Sequence, residues 1–250
     1  MGSMLHRFNF RSGLWFVALT SIVAGVTWTS AAQTAVPSDT PAVTLSQKAL
    51  SLALAPAETR RVRITLPAGA TEAVSAEQSL GAIEIRWVGA PTPAAQEPRG
   101  NPAGLHSRIT LTLISQGAGT EELSIRNLSA TKPATVEMTA TSPHPSNTED
   151  RQQANAEAAL AHAELLRAQR NAATYPDAIR SYDSATATWR TLHDDRNLSR
   201  ALTWKALFLF VNQSDAASAL PLTEETAKYV SSLDTPEAAN CAKIAGYVHV

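Results

Sequence analysis

Residues 178–185, Ala178-Ile179-Arg180-Ser181-Tyr182-Asp183-Ser184-Ala185, decide how the C-terminal part of the chain is read. Ala178, Tyr182 and Ala185 stand at i, i+4 and i+7, which puts small, aromatic and small side chains on one face of a helix. The small residues admit a partner helix and the ring fills the space beside them. Around this stretch a device returns at a spacing of about forty residues, the length of a helix pair. Trp189-Arg190-Thr191-Leu192 precedes one Ala/Leu-rich run at 201–210, and Tyr229-Val230-Ser231-Ser232-Leu233 precedes another at 238–250. Upstream, 154–170 is helical in pattern without interruption. Ala173-Thr174-Tyr175-Pro176 then breaks it, with Pro176 suited to the first turn of the next helix.

The middle of the chain follows period two instead. Val62, Ile64 and Leu66 alternate with Arg61, Arg63 and Thr65, and Ile83, Ile85 and Trp87 alternate with Glu84, Arg86 and Val88. Ile109, Leu111 and Leu113 alternate with threonines, and shorter runs hold Leu123 with Ile125 and Val136 with Met138. Weaker strands are expected at 43–45, 50–54 and 74–76. Strands with one apolar face, spaced by Gly/Pro turns, predict an antiparallel sandwich. Residues 89–104, with four prolines, are too broken for a strand and are expected as a mobile loop. Pro143 to Asp150 is expected to be a hinge, where Asn147 or Thr148 caps the following helix and Glu149 and Asp150 favour its first turn.

The first thirty residues are set apart. His6, Arg7 and Arg11 give a weakly basic start, 14–28 is apolar without a charge, and Ser30-Ala31-Ala32 supplies small residues. This is the layout of a secretory signal cleaved after Ala32, the alternative being an uncleaved anchor. Export to a periplasmic or extracellular location follows, with a linker at 33–41. One cysteine, Cys241, excludes an internal disulfide framework and suits a packed thiol beside Ala238 and Ala245. A net charge of −1 with no basic block gives no ground for a nucleic-acid partner, and removal of the signal leaves none for a membrane.

The face formed by Ala178, Tyr182 and Ala185 resembles the second helix of a tetratricopeptide repeat (TPR), with Ala206 and Gly246 at the helix crossings of neighbouring units. The order of parts widens the resemblance. An export signal is followed by Arg60-Arg61-Val62-Arg63-Ile64-Thr65-Leu66-Pro67-Ala68-Gly69, then by Gln78 and the strand at 83–88, then by 148–152 leading into the alanine-rich 156–167. This is similar to the N-terminal part of large bacterial exported proteins that join a pre-peptidase-C-terminal-like β-sandwich to a TPR array and end in a CHAT domain. The resemblance implies a multidomain chain: signal peptide 1–32, linker 33–41, antiparallel β-sandwich 42–142, hinge 143–150 and an all-α TPR-like solenoid over 151–250. Departures include Thr223 and Thr226 where the pattern has an aromatic and an alanine, early Pro221, Lys205 at an apolar place and His249 for a tyrosine. The array is expected to be incomplete, the chain being read as a fragment that lacks the CHAT domain and its catalysis.

No HExxH, CxxC, GxSxG or phosphate-loop pattern occurs, so neither a catalytic residue nor a metal or cofactor is expected. His193-Asp194-Asp195 is the densest polar cluster and reads as a helix stop and cap. Three Asn-x-Ser matches, beginning at Asn127, Asn197 and Asn212, are short enough to arise by chance. The expected function is a non-catalytic protein-interaction scaffold. The alternatives are the regulatory front of a CHAT-type cysteine peptidase and a carbohydrate- or surface-binding sandwich for which Trp87 is the leading aromatic. If Ala206 and Gly246 mark crossings, Arg200, Thr203 and Leu207 line a groove with Asn240, Lys243 and Tyr247 beside them. That mixture suits an acidic peptide or protein segment, including a missing C-terminal region of the same protein.

Overall fold

The computed structural model describes residues 42–45, 49–96, 98–100, 108–233 and 235–249. The expected signal at 1–32 and linker at 33–41 lie outside the described residues. The period-two runs become strands, β1 (Val43–Thr44), β2 (Leu50–Leu54), β3 (Thr59–Leu66), β4 (Ala70–Leu80) and β5 (Ile83–Val88). They continue as β6 (Arg99–Gly100), β7 (Arg108–Ile114), β8 (Gly119–Asn127), β9 (Ala134–Ala140) and β10 (His144–Pro145). One sheet has the order β1-β3-β8-β5-β6; the other has β10-β4-β9-β2, with β7 also pairing with β4.

Successive long strands change sheet, so the apolar faces of the two sheets meet. Val62, Ile64, Ile85 and Leu123 of the first sheet and Val74, Leu111, Leu113 and Val136 of the second are at most 1% exposed and share one core. Gly81 makes one of these changes. Its φ is +79°, and a Cβ there would meet the Ala134 Cβ at 2.8 Å and the Pro133 carbonyl oxygen at 2.9 Å. Pairing is antiparallel except at β1, which lies parallel to β3. The region expected as an unbroken loop holds a helical turn, α1 (Pro93–Gln96), and β6, which pairs Gly100 with Glu84 and Arg99 with Ile85.

The remaining helices are α2 (Thr148–Gln169), α3 (Tyr175–Leu192), α4 (Asp195–Gln213), α5 (Ala216–Ala227) and α6 (Thr235–Val248). Asn147 caps α2: its side chain accepts from the Asp150 N–H at 2.9 Å, and the Asp150 carboxylate accepts from the Asn147 N–H at 2.9 Å. The small–aromatic–small face does the packing its spacing implies. Ala178, Tyr182 and Ala185 are fully buried with Ala156, Ala163 and Trp189, and the Tyr182 ring lies 5.9 Å from that of Phe208.

The helices do not stand apart from the sheets. Strand β7 is an edge, and residues of one parity along it turn their peptide groups away from β4. Thr112 donates its outward N–H to Glu157 Oε2 on α2 at 2.7 Å, and its hydroxyl donates to Glu157 Oε1 at 2.9 Å. Four residues earlier, the Arg108 carbonyl oxygen accepts from Arg200 Nη1 on α4 at 2.6 Å. An open strand edge is a template for pairing with other chains, and the helices bonded to it at Thr112 and Arg108 take up part of that template. The expected hinge is fastened as well: His144 and Pro145 pair with Thr71 and Ala70, and the Ser146 N–H donates to the Gly69 carbonyl oxygen at 2.9 Å. The described residues accordingly fall in one compact unit. The expected fold class, an antiparallel sandwich followed by a separate all-α TPR-like solenoid, is therefore corrected. The described residues are mixed α/β, with two five-stranded sheets and a helical C-terminal half docked on the edge of one of them.

Candidate functional site

Where α2 and α4 meet the β7 edge they leave a cleft of about 550 Å³, counting space open to solvent. Its walls include Gly100 of β6, Ile109 and Thr110 of β7, Leu160 of α2, and Asn197, Arg200 and Trp204 of α4. Thr110 lies between Arg108 and Thr112 in the same outward register. Its N–H and C=O have no protein partner among the described residues. The cleft thus leaves open the main-chain N–H and C=O of one residue on a strand edge whose outward neighbours on either side are occupied by Arg200 and Glu157.

A polar network holds the walls. Glu157 is 6% exposed and lies near Arg99, itself 7% exposed. Burial pushes the Glu157 carboxyl up from its ordinary value, opposed by the Arg99 charge and by the bonds from Thr112. Gln153 Oε1 accepts from the Trp189 indole N–H at 3.0 Å, which fixes that ring against α2. Asp194 caps α4 by accepting from the Asn197 N–H at 3.0 Å, and its other oxygen accepts from Asn197 Nδ2 at 2.7 Å. Arg167 stacks over the Trp204 ring at 5.4 Å while donating to Glu164 at 2.7 Å. Glu164 also accepts from the Tyr182 hydroxyl. Burial first and the Glu164 charge second hold that hydroxyl well above the usual phenol range. The arrangement is donor-rich. Every carboxylate named here is already engaged by protein groups, and no nucleophile with an adjacent base stands among them.

The predicted groove residues are divided among three places. Arg200 turns towards β7 and enters the cleft. Thr203 is 5% exposed between α4 and α6; its hydroxyl donates to the Ser199 carbonyl oxygen at 2.8 Å and lies 3.1 Å from Cys241 Sγ. It belongs to the helix packing and presents nothing to a groove. Leu207 is half-buried, whereas Lys243 and Tyr247 are exposed, with the Lys243 ammonium 5.8 Å from the Tyr247 ring centroid. Asn240 falls within α6, and its side chain lies outside the described ones.

Other expectations are settled by burial. Trp87 is 4% exposed in the sheet core with its indole N–H donating to Glu121 at 2.8 Å, so the leading aromatic of the carbohydrate-binding alternative is not a surface group. Asn127 is fully buried, and its amide donates to the Ala55 and Lys132 carbonyl oxygens at 2.9 and 2.8 Å. His193 ends α3 and Asp194 caps α4, as a stop and cap. Among the described residues no group of His, Cys, Asp and Glu is placed to hold a metal, and no helix is long and apolar enough to cross a membrane.

Comparison with protein families, curated proteins and solved structures gave no similar family, relative or fold. Sequence reasoning passed over Thr110 and Glu157. The available signal was α2 itself, in which Ala156, Ala158, Leu160, Ala161, Ala163 and Leu166 leave no continuous polar face. A helix apolar on both sides is covered on both sides.

Proposed function

We infer that this chain is a non-catalytic binding module of an exported protein and that the cleft beside β7 takes an extended peptide segment of a partner. The observation that carries the reading is the pair of unpartnered main-chain groups of Thr110, its N–H and C=O, in the cleft wall. Addition of a strand to a sheet edge supplies main-chain hydrogen bonds, and flanking side chains supply selectivity. Here the flanks are Arg200, suited to a carboxylate, and the half-buried Trp204, suited to an apolar or planar side chain. Export rests on the signal-like order of residues 1–32.

The test is selection of random displayed peptides on the folded protein, followed by amide exchange with the selected peptide bound. The expected motif is extended, carries an acidic residue, and slows exchange of the Thr110 amide. Thr110→Pro removes the outward donor without touching the ladder to β4, a position where an edge strand tolerates proline. It should weaken binding about tenfold, as the loss of one good hydrogen bond does. Trp204→Ala should weaken it further. Selected peptides that leave Thr110 exchange unchanged, or bind Thr110→Pro equally well, would overturn the assignment.

A further inference from the structure

The outer face of the first sheet carries a charge pattern that neither the core nor the cleft uses. Register places three rungs side by side across β3, β8 and β5. Thr59, Arg126 and Glu84 form one, Arg61, Ser124 and Arg86 the next, and Arg63, Glu122 and Val88 the third. Four guanidiniums against two carboxylates leave this face two charges positive on a chain whose net charge is −1. The side chains of Arg61, Arg63 and Arg86 are 46%, 55% and 51% exposed. Glu122 is shared between Arg61 at 3.2 Å and Arg63 at 3.6 Å, and Glu84 is held by Arg86 at 2.9 Å. Arg126 is half-buried on the middle strand, and no ion pair or hydrogen bond of its guanidinium occurs among the described residues. Its cross-strand neighbour Glu84 is engaged by Arg86, so the Arg126 charge is left to meet an anion from outside.

We propose that this face, centred on Ser124 and ringed by Arg61, Arg63, Arg86 and Arg126, docks an extended acidic protein segment in which carboxylates alternate with neutral residues. The spacing supports that occupant. Arg61 and Arg63 are two residues apart on one strand, roughly 6.8 Å, which is the repeat of same-side residues in an extended peptide. Arg61 and Arg86 are two strands apart, roughly 10 Å, so a second carboxylate row is met across the face. Guanidinium forks bind carboxylates bidentately, and Glu122 already shows one carboxylate bridging two of them. The interleaved Glu122 also selects the ligand. A continuous anionic surface such as a lipid bilayer would be repelled there, whereas spaced carboxylates fall on the arginines alone.

The experiment uses the full chain and a fluorescent peptide alternating Asp with Thr, with an Asn/Thr peptide as control. Binding should be readily measured at low salt, weaken as salt rises, and be absent for the Asn/Thr control. Arg61→Gln with Arg63→Gln should reduce affinity by roughly tenfold or more, as loss of paired charges at a contact does. Arg126→Gln should do the same, with thermal stability unchanged to show that folding is intact. Replacement of the same arginines by Lys, which keeps charge but not the fork, should restore part of the affinity. Arg200→Glu, which disables the cleft, should leave this binding unchanged, so failure here and failure of the cleft assignment are separate results. Equal binding of the Asn/Thr peptide, insensitivity to the Gln substitutions, or stronger Arg-dependent binding to phosphatidylserine vesicles than to the acidic peptide would each overturn the proposal.

Discussion

Replacing Glu157 by Ala should loosen the joint between helices and sheet, and its size follows from the contacts. The substitution deletes the acceptor of the Thr112 N–H at 2.7 Å and of the Thr112 hydroxyl at 2.9 Å. Leaving a buried donor unmet costs about 1–3 kcal/mol, and hydrogen bonds to a charged group contribute about 1.5–3 kcal/mol. These terms overlap, so the expected loss is about 2–3 kcal/mol. At about 2–4 °C per kcal/mol for a chain of this size, the melting temperature should fall by at least about 4 °C. Glu157→Gln keeps an oxygen for the Thr112 N–H and should lose only about 1 kcal/mol. Urea unfolding followed by tryptophan fluorescence and by far-ultraviolet dichroism measures both. A loss under about 0.5 kcal/mol for the Ala variant, with unchanged transitions, would refute the account of the joint. The pH dependence supplies a second check. Burial raises the folded-state pKa of Glu157 above its unfolded value, so the protonated form is favoured by folding. That contribution is full below the unfolded pKa of about 4.3 and is lost as pH rises through the folded pKa. The stability gap between the parent and Glu157→Gln should therefore narrow from pH 4 to pH 8.

Three further outcomes are expected. Glu72 is 4% exposed and desolvation raises its pKa, so Glu72→Gln should gain stability relative to the parent as pH rises above about 4.3; a gap constant with pH counts against this. Cys241 is 7% exposed against Thr203, so a thiol reagent should label it slowly in the folded protein and at once in denaturant, and equal rates would place it elsewhere. Pro221 lies inside α5 and is exposed, so Pro221→Ala should stabilise by about 1–3 kcal/mol in thermal unfolding, and no gain would mean that the helix is shaped around the proline.

The elements were largely legible from sequence because each obeys a local rule. Period two placed β3, β5 and β7, and the spacing of Ala178, Tyr182 and Ala185 identified the buried face of α3. Local rules stop at the joints. Glu157 and Thr112 are 45 residues apart, and nothing in an alanine-rich run says that its one buried carboxylate reaches a strand edge. The groove prediction failed at Thr203 for a related reason. Helical periodicity tells which residues share a face, but the same face of α4 serves α6 at Thr203 and the sheet at Arg200. Residues 89–104 misled in the opposite direction. Four prolines argued against a strand, yet two residues suffice to pair with β5 beside Ile85, between Pro98 and Pro102.

The covering of β7 by side chains from later in the chain has a consequence for synthesis on the ribosome. Arg108 emerges 92 residues before the arginine that closes over its carbonyl oxygen. At roughly 5–20 residues per second, that strand edge waits about 5–20 s for its cover. During that interval the nascent sheet has a ready-made docking strand and no helices to guard it. A holding factor that binds extended edges would therefore find its natural moment in the window between β7 and α4, and slowing translation after β9 should raise aggregation, whereas slowing it after α4 should not.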